Sequence, residues 1–201
     1  MNAVRYWLAL LMLMFMPGAF LFWFLVHPFV RFWRRIGLRR TMTIHYTLLA
    51  AFAAGVFLLR KTLLAMDFGT NPVLIAVAVP ILAASIVLRR RFSRHLRFKT
   101  LGGLPELAPE RYPQRLLTEG IYSRIRHPRY VEVLLVMASL ALVANNLAAY
   151  VNWIVAIPTV LVIVRIEERE LRDRFGAEYE AYCARVPRFV PRRPDCGAGW
   201  P

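Results

Sequence analysis

The sequence predicts an all-α integral membrane protein of about five transmembrane helices, on three observations. First, 58% of its 201 residues are hydrophobic, which is more apolar surface than a soluble domain of this size encloses in one core. Second, the apolar residues are gathered into runs long enough to cross a bilayer. Third, the Lys and Arg residues lie between those runs rather than within them, as they do in loops retained on one side of a membrane.

The first run extends from Tyr6 to about Val30, roughly 25 residues, enough for a ~30 Å hydrocarbon core. Pro17-Gly18 should kink it. Its apolar character continues through Phe20-Leu21-Phe22-Trp23-Phe24 without an Ala-x-Ala site, so it is read as a retained anchor rather than a cleaved signal. A second span is expected from about Ile44 to Leu59 and a third from Pro72 to Leu88, each ending in basic residues. A fourth, shorter run lies between Val131 and Ala144, and a fifth from Leu147 to Ile166 contains Pro158. Between the last two, Asn145-Asn146 predicts a tight helical hairpin, because these side chains tolerate turn conformations. After Ile166 an amphipathic helix should continue to about Cys183, with Pro187 and Pro191 excluding regular helix beyond it. The tail 192–201 is expected to be disordered.

Every Lys and Arg other than Arg5, Arg60 and Lys61 falls in segments 31–43, 89–129 and 165–201. Five spans place those segments on one side, so the expected topology is multi-pass, N-terminus out and C-terminus cytoplasmic. A net charge of +15 on a soluble chain would indicate nucleic acid; divided among apolar runs it indicates a bilayer with anionic headgroups, and no nucleic-acid partner is expected. Cys183 and Cys196 both lie in the basic C-terminal stretch, so neither a disulfide framework nor a metal site is expected. His27, His45 and His95 have no ligand spacing and are read as headgroup or loop contacts; Trp7, Trp23, Trp33 and Trp153 are read as lipid-facing or interfacial aromatics.

The segment from Arg89 to Arg129 is too long for a simple connection and, with Pro105, Pro109, Pro113 and Pro128, too rich in proline for one helix. Its start, Arg-Phe-Ser-Arg-His-Leu-Arg-Phe, alternates apolar and cationic residues and suits the headgroup region. Its end, Arg126-His127-Pro128-Arg129-Tyr130, enters the membrane with proline suited to a first helical turn. Such a helix start can receive an anionic group; alternatively the pentapeptide is a basic interfacial anchor. Glu167 and Glu168 close the last span, and either bind a cationic group or pair with Arg165, Arg169 or Arg172 along the helix.

These groups occur as an ordered set: Leu116-Leu117-Thr118-x-Gly120-Ile121-Tyr122, Arg126-His127-Pro128-x-Tyr130, Glu167-Glu168-x-x-Leu171, Phe175-Gly176-x-x-Tyr179-x-x-Tyr182 and Val186-Pro187-Arg188. Over roughly residues 114–191 the set resembles the isoprenylcysteine carboxyl methyltransferase and phospholipid methyltransferase superfamily. The resemblance implies a membrane enzyme that uses S-adenosylmethionine without a Rossmann domain, agreeing with the lack of a Gly-x-Gly-x-x-Gly loop. It further implies that Leu116, Leu117, Tyr122, His127, Pro128 and Tyr130 wrap the adenosine and methionine parts of the cofactor. Glu167, with Glu168 beside it, would face its ammonium group. On this reading residues 1–90 are a three-span scaffold and 91–191 a methyltransferase-like region around the last two helices. A lipophilic small molecule or lipid bearing a carboxylate, amine or thiol would enter from the bilayer.

Two further residues are candidates for a catalytic role. Where the family commonly continues Tyr-x-Gly, this chain has Tyr130-Val131-Glu132, and an intramembrane carboxylate is either functional or paired with an arginine such as Arg129. Arg188 either folds back over the pocket toward substrate or is an exposed headgroup contact. A reductase using NADPH and a non-catalytic scaffold are the alternatives to methyl transfer. With no Gly-x-x-x-Gly signature in the spans, the sequence leaves the oligomeric state open.

Overall fold

The computed structural model describes residues 2–26, 28–93 and 115–191, and the regular elements among them are helical. In chain order they are α1 (Ala3–Val26), α2 (Val30–Ile36), α3 (Leu38–Leu58), α4 (Arg60–Leu63), α5 (Pro72–Ser93), a 3-10 turn at Gly120–Ser123, α6 (Pro128–Ala144), α7 (Leu147–Phe175) and α8 (Ala177–Arg185). Four of these, α1, α3, α5 and α7, are long and apolar enough to cross a membrane. The fourth apolar run forms α6, whose 17 residues extend about 25 Å at 1.5 Å per residue. Near its start Tyr130 meets Glu167, and at its end Asn145-Asn146 turns directly into α7. α6 therefore matches the apolar part of α7 in depth and is the fifth rod of the bundle. Residues 94–114, which include His95 and Pro105, together with His27 and the tail with Cys196, lie outside the described residues.

Several boundaries differ from the sequence expectation, each for a local reason. The first run does not extend to Val30: α1 ends at Val26, and Pro28, which lacks an N–H to continue the ladder, separates it from α2. α3 starts six residues ahead of Ile44, directly after Gly37 at φ 86°, a conformation that favours glycine. The long C-terminal helix is likewise interrupted at Gly176, φ 53°, so that α8 leaves α7 at a new angle.

The core lies where α1, α6 and α7 meet. Ala9, Leu10 and Met12 pack with Met137, Ala141 and Ala144 of α6 and with Ala149, Ala156, Val160 and Ile163 of α7. Small residues at these seams let helix backbones approach closely, which is how helices associate in lipid without a hydrophobic driving force between them. α5 lies along α6 and α3 along α1. Outward faces remain apolar, as at Val77, Val79, Ile154 and Val155, where lipid replaces a protein partner. Two of the tryptophans are not on that surface: Trp23 and Trp33 are buried. The Trp33 indole N–H donates to Leu25 O at 2.6 Å and the Arg129 guanidinium lies 5.0 Å from the Trp23 ring, so polar partners inside the fold outcompete the interface. His45 is also buried, on α3, rather than in a loop or at a headgroup.

At the end of the bundle away from Tyr130 and Glu167, Arg5 closes the structure. Its guanidinium donates to Ala144 O at 2.7 Å and Asn145 O at 3.1 Å and is ion-paired with Asp67. Asn145 adopts φ 44°, while Asn146 accepts from Ala148 N at 3.0 Å and donates to Met66 O at 2.8 Å. The expected hairpin is present, and its asparagines also hold the α4–α5 connection. Asn146→Ala should lower stability by about 2 kcal/mol, because the fully buried side chain then no longer caps α7 or donates to Leu64 O and Met66 O, the latter keeping only the Leu147 N–H. Unfolding of the detergent-solubilised protein by heat measures it.

Candidate functional site

α6 starts at Pro128, which fills the first helical position where an N–H would have no partner. The two N–H groups just ahead of it are satisfied from far along the chain: Arg126 N–H donates to Pro187 O at 2.9 Å and His127 N–H to Arg188 O at 3.0 Å. The segment after α8 thus straps across the mouth of α6, and Phe189 lies against the His127 ring, centroids 6.0 Å apart.

Adjacent residues on a helix point about 100° apart, and this divides the acidic pair. Glu168 is fully buried. Its carboxylate receives Arg126 Nη2 at 2.8 Å and His127 Nε2 at 3.2 Å, while Arg188 reaches both oxygens through Nε at 2.9 Å and Nη2 at 2.7 Å. Arg172, one turn on, adds a third guanidinium at 3.6 Å. The Arg188 contact is the two-pronged guanidinium–carboxylate arrangement, stronger and more directional than a single bond, and hydrogen bonding to Glu168 pushes the Arg188 group above its already high value. Arg126 also donates to Val186 O at 2.6 Å and Cys183 O at 2.9 Å. Glu167 faces α6 instead, accepting from Tyr130 Oη at 2.8 Å with His127 Nδ1 at 4.0 Å, and its side chain remains 30% exposed.

A second layer supports this cluster. Tyr182 Oη donates to Tyr122 O at 2.6 Å, tying α8 to the 3-10 turn, and Leu116 packs with Tyr179, Tyr182 and Val186. Burial, reinforced by the Glu167 charge and opposed by Arg129, pushes the Tyr122 phenol well above its usual range. Leu116 and Leu117 line a cavity of about 500 Å³ with Arg115, Thr118, Glu119, Phe175 and Glu178. The volume lies within the ~300–1,000 Å³ of small-molecule sites.

The structure therefore brings His127, Pro128, Tyr130, Glu167 and Glu168 together, sets Tyr122 beside them, and places Leu116 and Leu117 at a neighbouring cavity. All of Glu168's acceptor capacity is engaged by the chain's own donors, and Glu167 is the carboxylate with an open side. Of the catalytic candidates, Arg188 folds back as one alternative had it, but its guanidinium meets Glu168. Glu132 is buried toward α5, with Arg89 Nε at 3.8 Å; its arginine comes from another helix. Arg126 went unassigned in the sequence reading although it forms the centre of the cluster. The i,i+4 spacing of Glu168 and Arg172 was legible, whereas carbonyls on residues 183–188 carry no signal in residue type.

Compared with known proteins, residues 73–178 match the family described as phospholipid methyltransferase. Among curated relatives, the methanethiol S-methyltransferase of Crocosphaera subtropica is 35% identical over 81 residues, 39% of this chain and 30% of that protein. The protein-S-isoprenylcysteine O-methyltransferase B of Arabidopsis thaliana is 32% identical over 78 residues, 38% of this chain and 40% of the relative. Methanethiol S-methyltransferase 2 of Bradyrhizobium diazoefficiens is 38% identical over 81 residues. The chain thus spans about a third of the length of the curated relatives it matches. No solved structure matches.

Neutralising the central carboxylate leaves Arg126 without its counter-charge and weakens the acceptor of the buried His127 ring. Glu168→Gln should destabilise the protein by about 3 kcal/mol, the scale of breaking a buried ion pair, and release the C-terminal strap. Faster proteolysis after α8, together with a lower unfolding temperature, is the expected result.

Proposed function

We propose that this chain, which belongs to the phospholipid methyltransferase family, is an integral membrane enzyme that moves a methyl group from S-adenosylmethionine to a lipophilic acceptor. The observation that carries the reading is the convergence of two elements about forty residues apart in sequence. Tyr130 and His127 at the opening of α6 meet Glu167 and Glu168 at the close of α7. The methyltransferase names of the relatives, two acting on methanethiol and one on isoprenylcysteine, support it.

The residues present fit such a cofactor. It is cationic at its ammonium and sulfonium groups, and Glu167 offers a carboxylate oriented by Tyr130 yet open on one side. The mostly polar cavity at Leu116 and Leu117 offers those two side chains and Phe175 as apolar faces for an adenine ring, with Glu119 and Glu178 as acceptors in its lining. When bound, S-adenosylmethionine supplies an already activated methyl group. The protein's task is then alignment rather than activation. His127 and Tyr130 are held in place by the carboxylates they bond, and the Arg188 strap closes over the same cluster.

The site end of the bundle also carries Arg89, Arg90, Arg91, Arg124, Arg126, Arg129 and the arginines after Ile166, whereas the opposite end has Arg5, Arg60 and Lys61. By the positive-inside rule the site faces the cytoplasm and its anionic lipid headgroups. A water-soluble cofactor arrives from that side and a lipophilic acceptor from the bilayer.

In detergent, S-adenosylhomocysteine at a hundredfold excess over its dissociation constant should stabilise the protein by about 2.7 kcal/mol, and NADPH should give no shift. Glu167→Ala should weaken that protection at least about tenfold, the scale of one charge-assisted hydrogen bond. Protection by NADPH alone would overturn the reading.

A further inference from the structure

α1 and α3 leave an open cavity of about 240 Å³ between them, and methyl transfer as proposed above gives it no part. The helices approach closely at Gly18, where a Cβ would collide with the Leu49 side chain. From there the cavity extends along Phe22 and Leu25 of α1 and Met42 and Tyr46 of α3, about 10 Å of helix at 1.5 Å per residue. Leu21, Tyr46 and Leu48 on its margin are exposed on the lipid-facing surface, so it is entered from the bilayer.

The end of this groove toward α2 is cationic. Arg129, in the first turn of α6, forms part of its wall and lies 5.0 Å from the Trp23 ring. Arg39 precedes Met42 by three residues and Tyr46 by seven, which puts it on the face of α3 that lines the groove. α2 and the first turn of α3 together present Arg31, Arg34, Arg35, Arg39 and Arg40, all exposed. Residues 1–66 contain neither Asp nor Glu, and among the described residues no ion pair engages Arg31, Arg35, Arg39 or Arg40. α2 is fixed where it stands: Trp33 is buried with its indole N–H on Leu25 O, and Thr41 Oγ1 donates to Gly37 O at 3.0 Å.

We propose that this groove is a binding site for an anionic phospholipid, with one acyl chain between α1 and α3 and the phosphate among Arg39, Arg129 and the arginines of α2. Apolar walls that open to lipid select a chain over a water-soluble phosphate. A field of one sign selects an anionic head group over a zwitterionic one, whose ammonium would be placed among guanidinium groups. Basic pockets between membrane helices take anionic head groups in this way. The volume is below the ~300–1,000 Å³ of sites that enclose a small molecule, so the groove holds part of one chain and leaves the rest in the bilayer. The bound lipid is not assigned as the methyl acceptor, and the site stands whether or not methyl transfer is the activity.

The test is native mass spectrometry of the protein in detergent, titrated with phosphatidylglycerol, phosphatidylcholine and diacylglycerol of identical chains. Phosphatidylglycerol should bind about tenfold more tightly than the other two. Arg39→Gln should weaken it about fivefold, the worth of one arginine near an anionic head group, and leave phosphatidylcholine unaltered. Arg91→Gln removes an exposed arginine from the end of α5 on the same side of the bundle and should have no such effect. Met42→Phe, which fills the groove, should weaken all three lipids while the delipidated protein keeps its unfolding temperature. Equal binding of phosphatidylglycerol and phosphatidylcholine, an equal loss in Arg39→Gln and Arg91→Gln, or undiminished binding in a folded Met42→Phe overturns the proposal. Displacement of the lipid by free glycerol 3-phosphate also overturns it, since the site would then take a phosphate without a chain. Should Met42→Phe not fold, the Arg39→Gln and Arg91→Gln pair decides alone.

Discussion

A carboxylate with no exposure to solvent, Glu168, is the constraint around which the end of the bundle at the start of α6 is built. An isolated buried charge of this kind is prohibitively costly, and pairing repays the cost only when the geometry saturates it. Here Arg126 and His127 come from the approach to α6, Arg172 from the next turn of α7, and Arg188 from the segment beyond α8. Three sections of chain must be in position together for the carboxylate to be satisfied. The same bonds that neutralise Glu168 set the His127 ring beside Tyr130 and so orient Glu167, the carboxylate that remains open. Structural necessity and the geometry of the site are one arrangement.

The opposite end of the bundle repeats the logic with different groups. Arg5 and the Asn145-Asn146 turn absorb the carbonyls at the end of α6 and in the α4–α5 connection. Because both ends of the α6–α7 hairpin are pinned by polar contacts, its register against α1 and α5 does not depend on apolar packing alone. Apolar packing between helices in lipid is weakly directional. An axial slip of α7 by one residue would move Glu168 away from Arg126 at one end and Asn146 away from Met66 at the other.

The chain belongs to the phospholipid methyltransferase family. On the proposed methyl transfer a donor from water and an acceptor from lipid would meet at a boundary, and cavities lie both ahead of the 3-10 turn and between α1 and α3. One is lined by Leu116, Leu117 and Glu119 and the other by Trp23, His45 and Arg129.

What the sequence determined by itself is the class of fold and the identity of the central residues. Apolar run length and the position of arginines depend only on the local exchange of water for lipid, so the helices and the sidedness of charge were legible, as was the Asn145-Asn146 turn. The ordered motifs likewise singled out His127, Tyr130, Glu167 and Glu168. Only the tertiary structure decided which carboxylate is consumed by the fold and which remains open, that Arg126 and Arg188 close on Glu168, that Glu132 looks to Arg89, and that His45, Trp23 and Trp33 are interior. Those outcomes turn on which face of a helix meets which neighbour and on backbone carbonyls of residues 183–188, which every residue type carries alike. No pattern of side chains in one dimension encodes them.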